Sequence, residues 1–534
     1  MNKYFKNAKI IILVIAGGML ICGCTKLDEE VHSELLTSNF LATSKDVPSL
    51  IAPVYTNLRS IAGWQGYFDV QEEAADAIVT PARPNGWVDG GTYQRMHLHT
   101  WTPTQSQTGG LYSNSYTGIN NANRIIFLIE SGEIPVPTLK EKEAIIAELK
   151  TARAYYYYIL LDNFGNVPIV TDFKDTSLPK QSTRQQVFDF VVKELTTNVP
   201  LLTEIVGKNT YGRFTKWAGK AVLARVYLNA EVYTGVAQWN NCIKECDDIV
   251  TQATTKGTYA LATRYKDNFT TTNESSKELI FTVPYDEIFA TENIIHMKTL
   301  DPLMQLVYPM QVQPWGGNCA VPQFIDTYDP DDQRLKDTWI MGPQLHAITG
   351  AVVINYVKTV KSLTQSASNE GFRIGKYEIK NGQKGGSSVD FPLYRYADVL
   401  MMKAESLLRT GKADDAAVIV TQVRQRNFTA NPAKAIVTGA QLIQGSVYQY
   451  GEWVNGTVLN PQGGADIAYG RMLDELGWEF AAEAKRRQDI IRFGVYTRKK
   501  WFAHVSSDMN KIIFPIPQNS RLTNANLKQN PGYY

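Results

Sequence analysis

From about residue 141, apolar residues return at steps of three and four, so that Ile145, Leu149, Ala152, Tyr156 and Ile159 fall on one helical stripe. A second stripe follows in Phe188, Val191, Val192 and Leu195, with Ser182 or Thr183 placed to cap its start. A third runs through Trp217, Ala221, Ala224 and Leu228, and a fourth spans roughly residues 238 to 250. Helices of similar length joined by short polar turns predict antiparallel pairs, the tetratricopeptide-like way of building a packed scaffold. The repeat consensus itself is weak, so the period supports helix hairpins more firmly than a named repeat. Helical periodicity returns at 394 to 408, 414 to 426 and 472 to 493.

Between these blocks the pattern dissolves. Residues 64 to 116 are glycine-rich and read as loops, and they hold Trp64, Tyr67, Trp87, Tyr93, Trp101, Tyr112 and Tyr116. A second irregular region, 284 to 384, carries Tyr308, Pro314-Trp315-Gly316-Gly317 and Tyr328. The stretch from 432 to 464 reads as an insert of turns and short strands.

The N-terminus has a pattern of its own. Lys3, Lys6 and Lys9 precede an apolar run from Ile10 to Ile21, too short to cross a bilayer, which is the layout of an export signal. It ends at Ile21-Cys22-Gly23-Cys24, which looks like a bacterial lipobox. Gly23 supplies the small residue before the cut, so residues 1–23 read as signal peptide and Cys24 as the lipidated first residue. The acidic tether Thr-Lys-Leu-Asp-Glu-Glu follows.

Charge narrows the choice of partner. Lysine and arginine total 54 against 52 aspartate and glutamate, so no global field points toward nucleic acid or an acidic polymer. The 10 Trp, 28 Tyr and 20 Phe suit recognition of something uncharged, although most aromatic rings fill cores. Outside the signal, Cys242 and Cys246 sit one helical turn apart, a spacing that favours helix packing over a disulfide. His97-Leu98-His99 would put two imidazoles on one face of a strand, but no third metal ligand lies in sequence reach. Glu72-Glu73 and Asp329-Pro330-Asp331-Asp332 supply carboxylates of the kind glycoside hydrolysis uses, and equally of the kind that makes polar turns. No phosphate-binding loop, dinucleotide fingerprint or nucleophile elbow stands out. The chain reads as a binder that needs no cofactor or metal, and not as an enzyme.

Several segments, in order, resemble the SusD/RagB family, the lipoprotein partners of TonB-dependent glycan transporters. They begin with Asn121-Ala122-Asn123-Arg124, Ala152-Arg153-Ala154-Tyr155 and Phe164-Gly165-Asn166-Val167-Pro168. Thr215-Lys216-Trp217-Ala218, Glu278-Leu279-Ile280-Phe281 and Tyr394-Arg395-Tyr396-Ala397-Asp398 follow, then Arg486-Arg487-Gln488-Asp489, Phe514-Pro515-Ile516-Pro517 and Asn530-Pro531-Gly532-Tyr533. Two departures stand out: Glu475-Leu476 where a glutamate-arginine pair is common, and Ala484 in place of a more usual glycine.

The resemblance implies a mainly α fold: four tetratricopeptide-like helix pairs as scaffold, with long loops and short strands forming the ligand face. It divides the mature chain into an N-terminal SusD-like region, 24–290, and a C-terminal region, 291–534. It also implies display on the outer leaflet of the outer membrane, glycan as ligand and a SusC-like TonB-dependent transporter as partner.

A sugar ring has an apolar C–H face and a hydroxyl rim, so its receptor needs flat aromatic surfaces and a few hydrogen-bonding side chains. The two irregular regions supply both, and the expected glycan site comprises Trp64, Tyr67, Trp87, Tyr308 and Trp315, with Asp89 and Arg373 as polar partners. Trp87 and Trp315 lead, while Trp101 and Tyr116 are assigned to the core. A lipid-anchored helix scaffold that binds proteins or peptides is the second reading, and a surface glycosidase the third.

Overall fold

The computed structural model describes residues 46–84 and 86–534; Cys24 and the export signal lie outside the described residues. Nine helices of ten or more residues are found among the described residues: α1 (Val47–Thr56), α2 (Ser106–Glu130), α3 (Leu139–Asn163), α4 (Arg184–Asn198), α5 (Lys216–Leu228), α6 (Trp239–Lys256), α7 (Tyr396–Arg409), α8 (Ala413–Gln425) and α9 (Gly470–Phe480). As the periodicity predicts, α3 packs on α4, α5 on α6 and α7 on α8, while α2, which no apolar stripe announced, lies on α3, and α6 is also laid against α7. The fold is therefore mainly α, with helix pairs as its scaffold.

Local chemistry sets the helix ends. Thr183 caps α4 in a reciprocal capping box with Gln186, and Thr215 accepts from the Ala218 amide to start α5. The fourth stripe runs further than its apolar period suggests, to Lys256, where Gly257 takes φ +63° and closes the helix in left-handed geometry. Cys242 and Cys246 are both buried free thiols on α6.

Two expectations fail. The glycine-rich stretch 64 to 116 is not all loop: Tyr67–Glu72 and Thr92–His97 are short helices, and α2 begins at Ser106 despite Gly109 and Gly110. Tertiary packing on α3 there outweighs the low helix propensity of glycine. The apolar period at 472 to 493 is not one helix either. It breaks at 481–485, between α9 and the short helix Arg486–Arg492, where Ala482 and Ala484 adopt φ +62° and +59°.

The reason for the break lies in the interior. The turn aims Glu483 at Lys376 and at Arg395, whose Nη2 lies 2.8 Å from the carboxylate. Arg395 also pairs with Glu278 and Glu479, each at 2.7 Å, and Arg334 pairs with Asp332, Glu475 and Glu479. These side chains are almost wholly removed from water. Burial alone would raise the Glu278 carboxyl, but Arg426 and Arg395 beside it hold it down at about 2.

All sheets among the described residues are two-stranded. The central pair, β1 (Leu279–Val283) with β2 (Phe391–Arg395), is antiparallel and buried along its whole length. It ties the two sequence regions together over one contiguous core reaching from Ile51 to Tyr533. No described helix is long and apolar enough to cross a membrane.

Candidate functional site

Three of the aromatic residues expected at the ligand face converge. The rings of Trp64, Trp87 and Trp315 form a triad with centroids 5.1, 5.3 and 5.6 Å apart. Trp87 and Trp315 are half-buried and Trp64 is 50% exposed, so the cluster is partly open to water. Tyr93 lies beneath, 4.5 Å from Trp87 and fully buried.

The main chain is shaped to allow this approach. The Trp87 amide donates to the Trp315 carbonyl at 2.7 Å, and the Trp315 amide donates to the Met297 carbonyl at 2.8 Å. Gly317 lies under the Trp87 ring so closely that a Cβ there would fall 2.6 Å from a ring carbon. A larger residue would displace the indole.

Beneath the rings the support is polar and sealed. The Lys298 ammonium donates to Asp69 at 2.7 Å and to the Gly63 carbonyl at 3.1 Å, which fixes the residue before Trp64. The Lys298 carbonyl accepts the amides of Gly317 and Asn318, which fixes the loop after Trp315. The Tyr93 hydroxyl donates to the other Asp69 oxygen at 3.3 Å. Burial pushes the Asp69 carboxyl up, and the ammonium beside it opposes that. One buried lysine, 235 residues from Gly63 in sequence, thus joins the Trp64 loop to the Trp315 loop.

Asp89 sits at the edge of the triad and accepts a 2.6 Å hydrogen bond from the Gln65 amide group. Both residues hold left-handed backbone, φ +52° at Gln65 and +46° at Asp89, and such strain persists only where surroundings impose it. The bond clamps the Trp64 loop to the Trp87 loop.

Tyr308 is half-buried against the same satellite core of Met297, Met304 and Met310 on which Trp315 packs. Tyr67 and Arg373 are elsewhere, as their burial shows. Tyr67 is an interior ring whose hydroxyl accepts from Gln488 at 3.3 Å. Arg373 is fully buried and spends its guanidinium on the carbonyls of Gly317, Asn318 and Ser368, with Tyr356 below it. It braces the Trp315 loop from inside together with Arg83, which reaches the Gly316 carbonyl at 3.2 Å. A guanidinium so occupied and shielded cannot serve a ligand as well. Of the core assignments, Trp101 is buried and Tyr116 is partly buried against the core.

Of the carboxylate and histidine motifs, Glu72, Glu73, His97 and His99 are interior, while Asp329 and Asp331 lie at the surface. Glu72 and Glu73 are fully buried, and burial pushes their carboxyls up to about 7 and about 8. His97 ends a helix and His99 follows at φ +54°, so the two do not share the face of a strand. Burial pushes His97 down to about 3. Among the described residues no group of three histidine, cysteine, aspartate or glutamate side chains is placed to hold a metal. Asp329 and Asp331 hold Lys434, and Asp332 caps the helix Gln333–Thr338.

Gln65, Asp69, Tyr93 and Lys298 were not singled out from sequence as site residues. Gln65 adjoins a candidate tryptophan and was findable; nothing in the pattern around Asp69 or Lys298 marks them as partners.

Residues 27–228 match a family described as starch-binding and associating with the outer membrane, and residues 221–507 match the SusD family. The chain is 22% identical over 504 residues to the starch-binding protein SusD of Bacteroides thetaiotaomicron, covering 84% of this chain and 82% of that protein. It is also 22% identical over 508 residues to SusD-like protein P25 of Formosa agariphila, covering 88% and 86%. Among solved structures, a laminarin-binding SusD-like protein superposes with a TM-score of 0.69 at 18% identity, over 92% of this chain and 100% of that one. Surface glycan-binding protein A from Bacteroides thetaiotaomicron, in complex with laminarihexaose, superposes with a TM-score of 0.67 at 18% identity, over 92% and 100%.

Proposed function

Because the chain belongs to the SusD/RagB family, we propose that it is a cell-surface glycan-binding lipoprotein: lipidation at Cys24 holds it to the outer membrane, and it captures an oligosaccharide or polysaccharide for a SusC-like TonB-dependent transporter. The observation that carries this reading is the tryptophan triad. Three indoles held at steep mutual tilts above a sealed polar support, one of them half in water, form a platform that no core needs. Such rings match the C–H faces of sugars, and a neutral ligand agrees with the balanced charge of the chain. Binding without turnover is expected, since the carboxylates once considered for glycoside hydrolysis are interior or engaged in turns.

The test is glycan binding by Trp64→Ala and by Trp87→Ala with Trp315→Ala. Loss of ring contact is expected to weaken binding by about 1–3 kcal/mol per indole, while helix content stays near that of the parent. Unchanged affinity in the double variant rules the triad out as the platform. Alkaline extraction of Cys24→Ala tests the anchor, which requires this variant to leave the outer membrane. Affinity purification after gentle detergent extraction tests the transporter, which should be recovered with the chain.

A further inference from the structure

Away from the triad, a groove of about 1000 Å³ opens between the loop preceding α5, strand β1 and the residues leading into β2. That is the size of a small-ligand site. Gly212, at φ +70°, lets the loop lie against Pro284, where a Cβ would fall 2.6 Å from the proline ring. The loop thereby places half-buried Tyr211 over Asp390, to which its hydroxyl donates at 2.5 Å. The other Asp390 oxygen accepts the Tyr285 amide at 2.8 Å.

Two features of the groove are unexplained by the fold. The hydroxyls of Tyr259 and Thr282, both groove-lining residues, make no hydrogen bond of good geometry within the protein, although Thr215 lies beside the first and Tyr211 beside the second. Leaving them so costs free energy that a ligand or a water would recover. From the groove wall at Asp286 rises a tight turn in which Asp286 accepts the amides of Ile288 and Phe289 at 2.8 and 2.9 Å. The turn holds the Phe289 ring 85% exposed. An apolar ring fixed in water adds nothing to a core, whereas it offers a face to a ligand.

We propose that this groove is a second saccharide subsite, which takes a neutral polyhydroxylated segment of the same glycan that the triad binds. The inference rests on the glycan reading above. Phe289 and Tyr211 supply ring faces, and the Tyr259 and Thr282 hydroxyls supply the floor. The charges along the groove, Lys208 and Lys277 against Glu274, Asp286 and Asp390, nearly cancel and give a strongly ionic ligand no advantage. The two subsites hang on one segment. The Tyr285 hydroxyl, at the groove, donates to the Arg59 carbonyl at 2.7 Å and accepts the Ala62 amide at 3.3 Å, two residues before Trp64. A chain engaging both subsites gains by effective concentration without any new contact.

Four full-length proteins in detergent separate the possibilities on an array of immobilised neutral polysaccharides that includes starch and laminarin: the parent, Phe289→Ala with Tyr259→Phe, Trp87→Ala with Trp315→Ala, and the combination of all four substitutions. The first pair removes an exposed ring and a hydroxyl that makes no well-formed hydrogen bond, so its melting temperature should stay near that of the parent. The expected result is a loss of about tenfold in apparent affinity for that pair, and a residual signal in the triad variant that the combined variant lacks. Parent affinity in the groove pair, or no groove-dependent residue in the triad variant, overturns the second subsite and leaves the triad reading intact. A parent that binds nothing on the array overturns both.

Discussion

Two regions of this molecule place side chains against the usual rule. Around β2 and α9, carboxylates and guanidinium groups fill the interior: Arg334, Arg395, Glu278, Glu479 and Glu483 have no access to water. At the face between residues 64 and 315, three tryptophans remain in part outside. The difference lies in who satisfies the groups. Every cation of the interior cluster has carboxylates at ion-pair distance, so the fold completes it alone. The triad is completed underneath by Lys298 and Asp69 but left open above, and an opening of that kind is where a ligand can supply what the chain does not.

The largest effect should come from breaking the sealed region. Arg395→Ala leaves Glu278, Glu479 and Glu483 buried around a lost cation, and should destabilise the fold by about 3–5 kcal/mol in denaturant titration. A cost near that of a surface substitution would remove the contrast between the regions.

Acidity probes the same interior from two sides. Glu73 keeps a proton in the fold up to about pH 8 that the unfolded chain releases near pH 4.5, so its contribution falls as pH rises across that window. His97 and His504, both pushed down to about 3 by burial, act in the opposite sense and lose stability as pH falls below about 6.5. Glu73→Gln keeps an acceptor for the Thr80 hydroxyl and should raise stability above pH 8 by up to a few kcal/mol, while flattening the decline between pH 5 and 8. An unaltered pH profile of melting would show that Glu73 is ionised in the fold.

The open region should respond weakly in the same assays. Trp64→Ala is expected to cost less than about 1 kcal/mol of stability, because half of the ring is already in water. Its effect belongs in glycan affinity. A loss of several kcal/mol would move Trp64 into the sealed class.

The smallest effect concerns the left-handed turn that serves the interior cluster. Ala484 stands at φ +59°, and Ala484→Gly trades relief of that strain against a lost methyl contact. Stability should stay within about 1 kcal/mol of the parent. Ala484→Val, a β-branched residue in the same conformation, should cost more than Ala484→Gly by at least about 1 kcal/mol. Equal values would mean that the turn shifts to accommodate either.

Helix pairing was legible in the chain because a period of 3.6 and a capping threonine are local signals, readable at Ile145 to Ile159 or at Thr183 without any neighbour. That Trp64, Trp87 and Trp315 belong to irregular, glycine-rich segments was legible for the same reason. Their meeting was not, because it depends on the Trp87–Trp315 backbone bond and on Lys298 reaching the Gly63 carbonyl, contacts across more than 220 residues that leave no periodic trace. Tyr67 and Arg373 resembled their neighbours in composition, yet packing sealed both inside. The break at 481–485 likewise follows from the cations that Glu483 must meet, and not from any breaker residue in that stretch. Sequence by itself determined which segments are helical and which carry rings, since those properties follow from near neighbours; only tertiary structure decided which rings stay open to a ligand, since burial is a property of residues far apart along the chain.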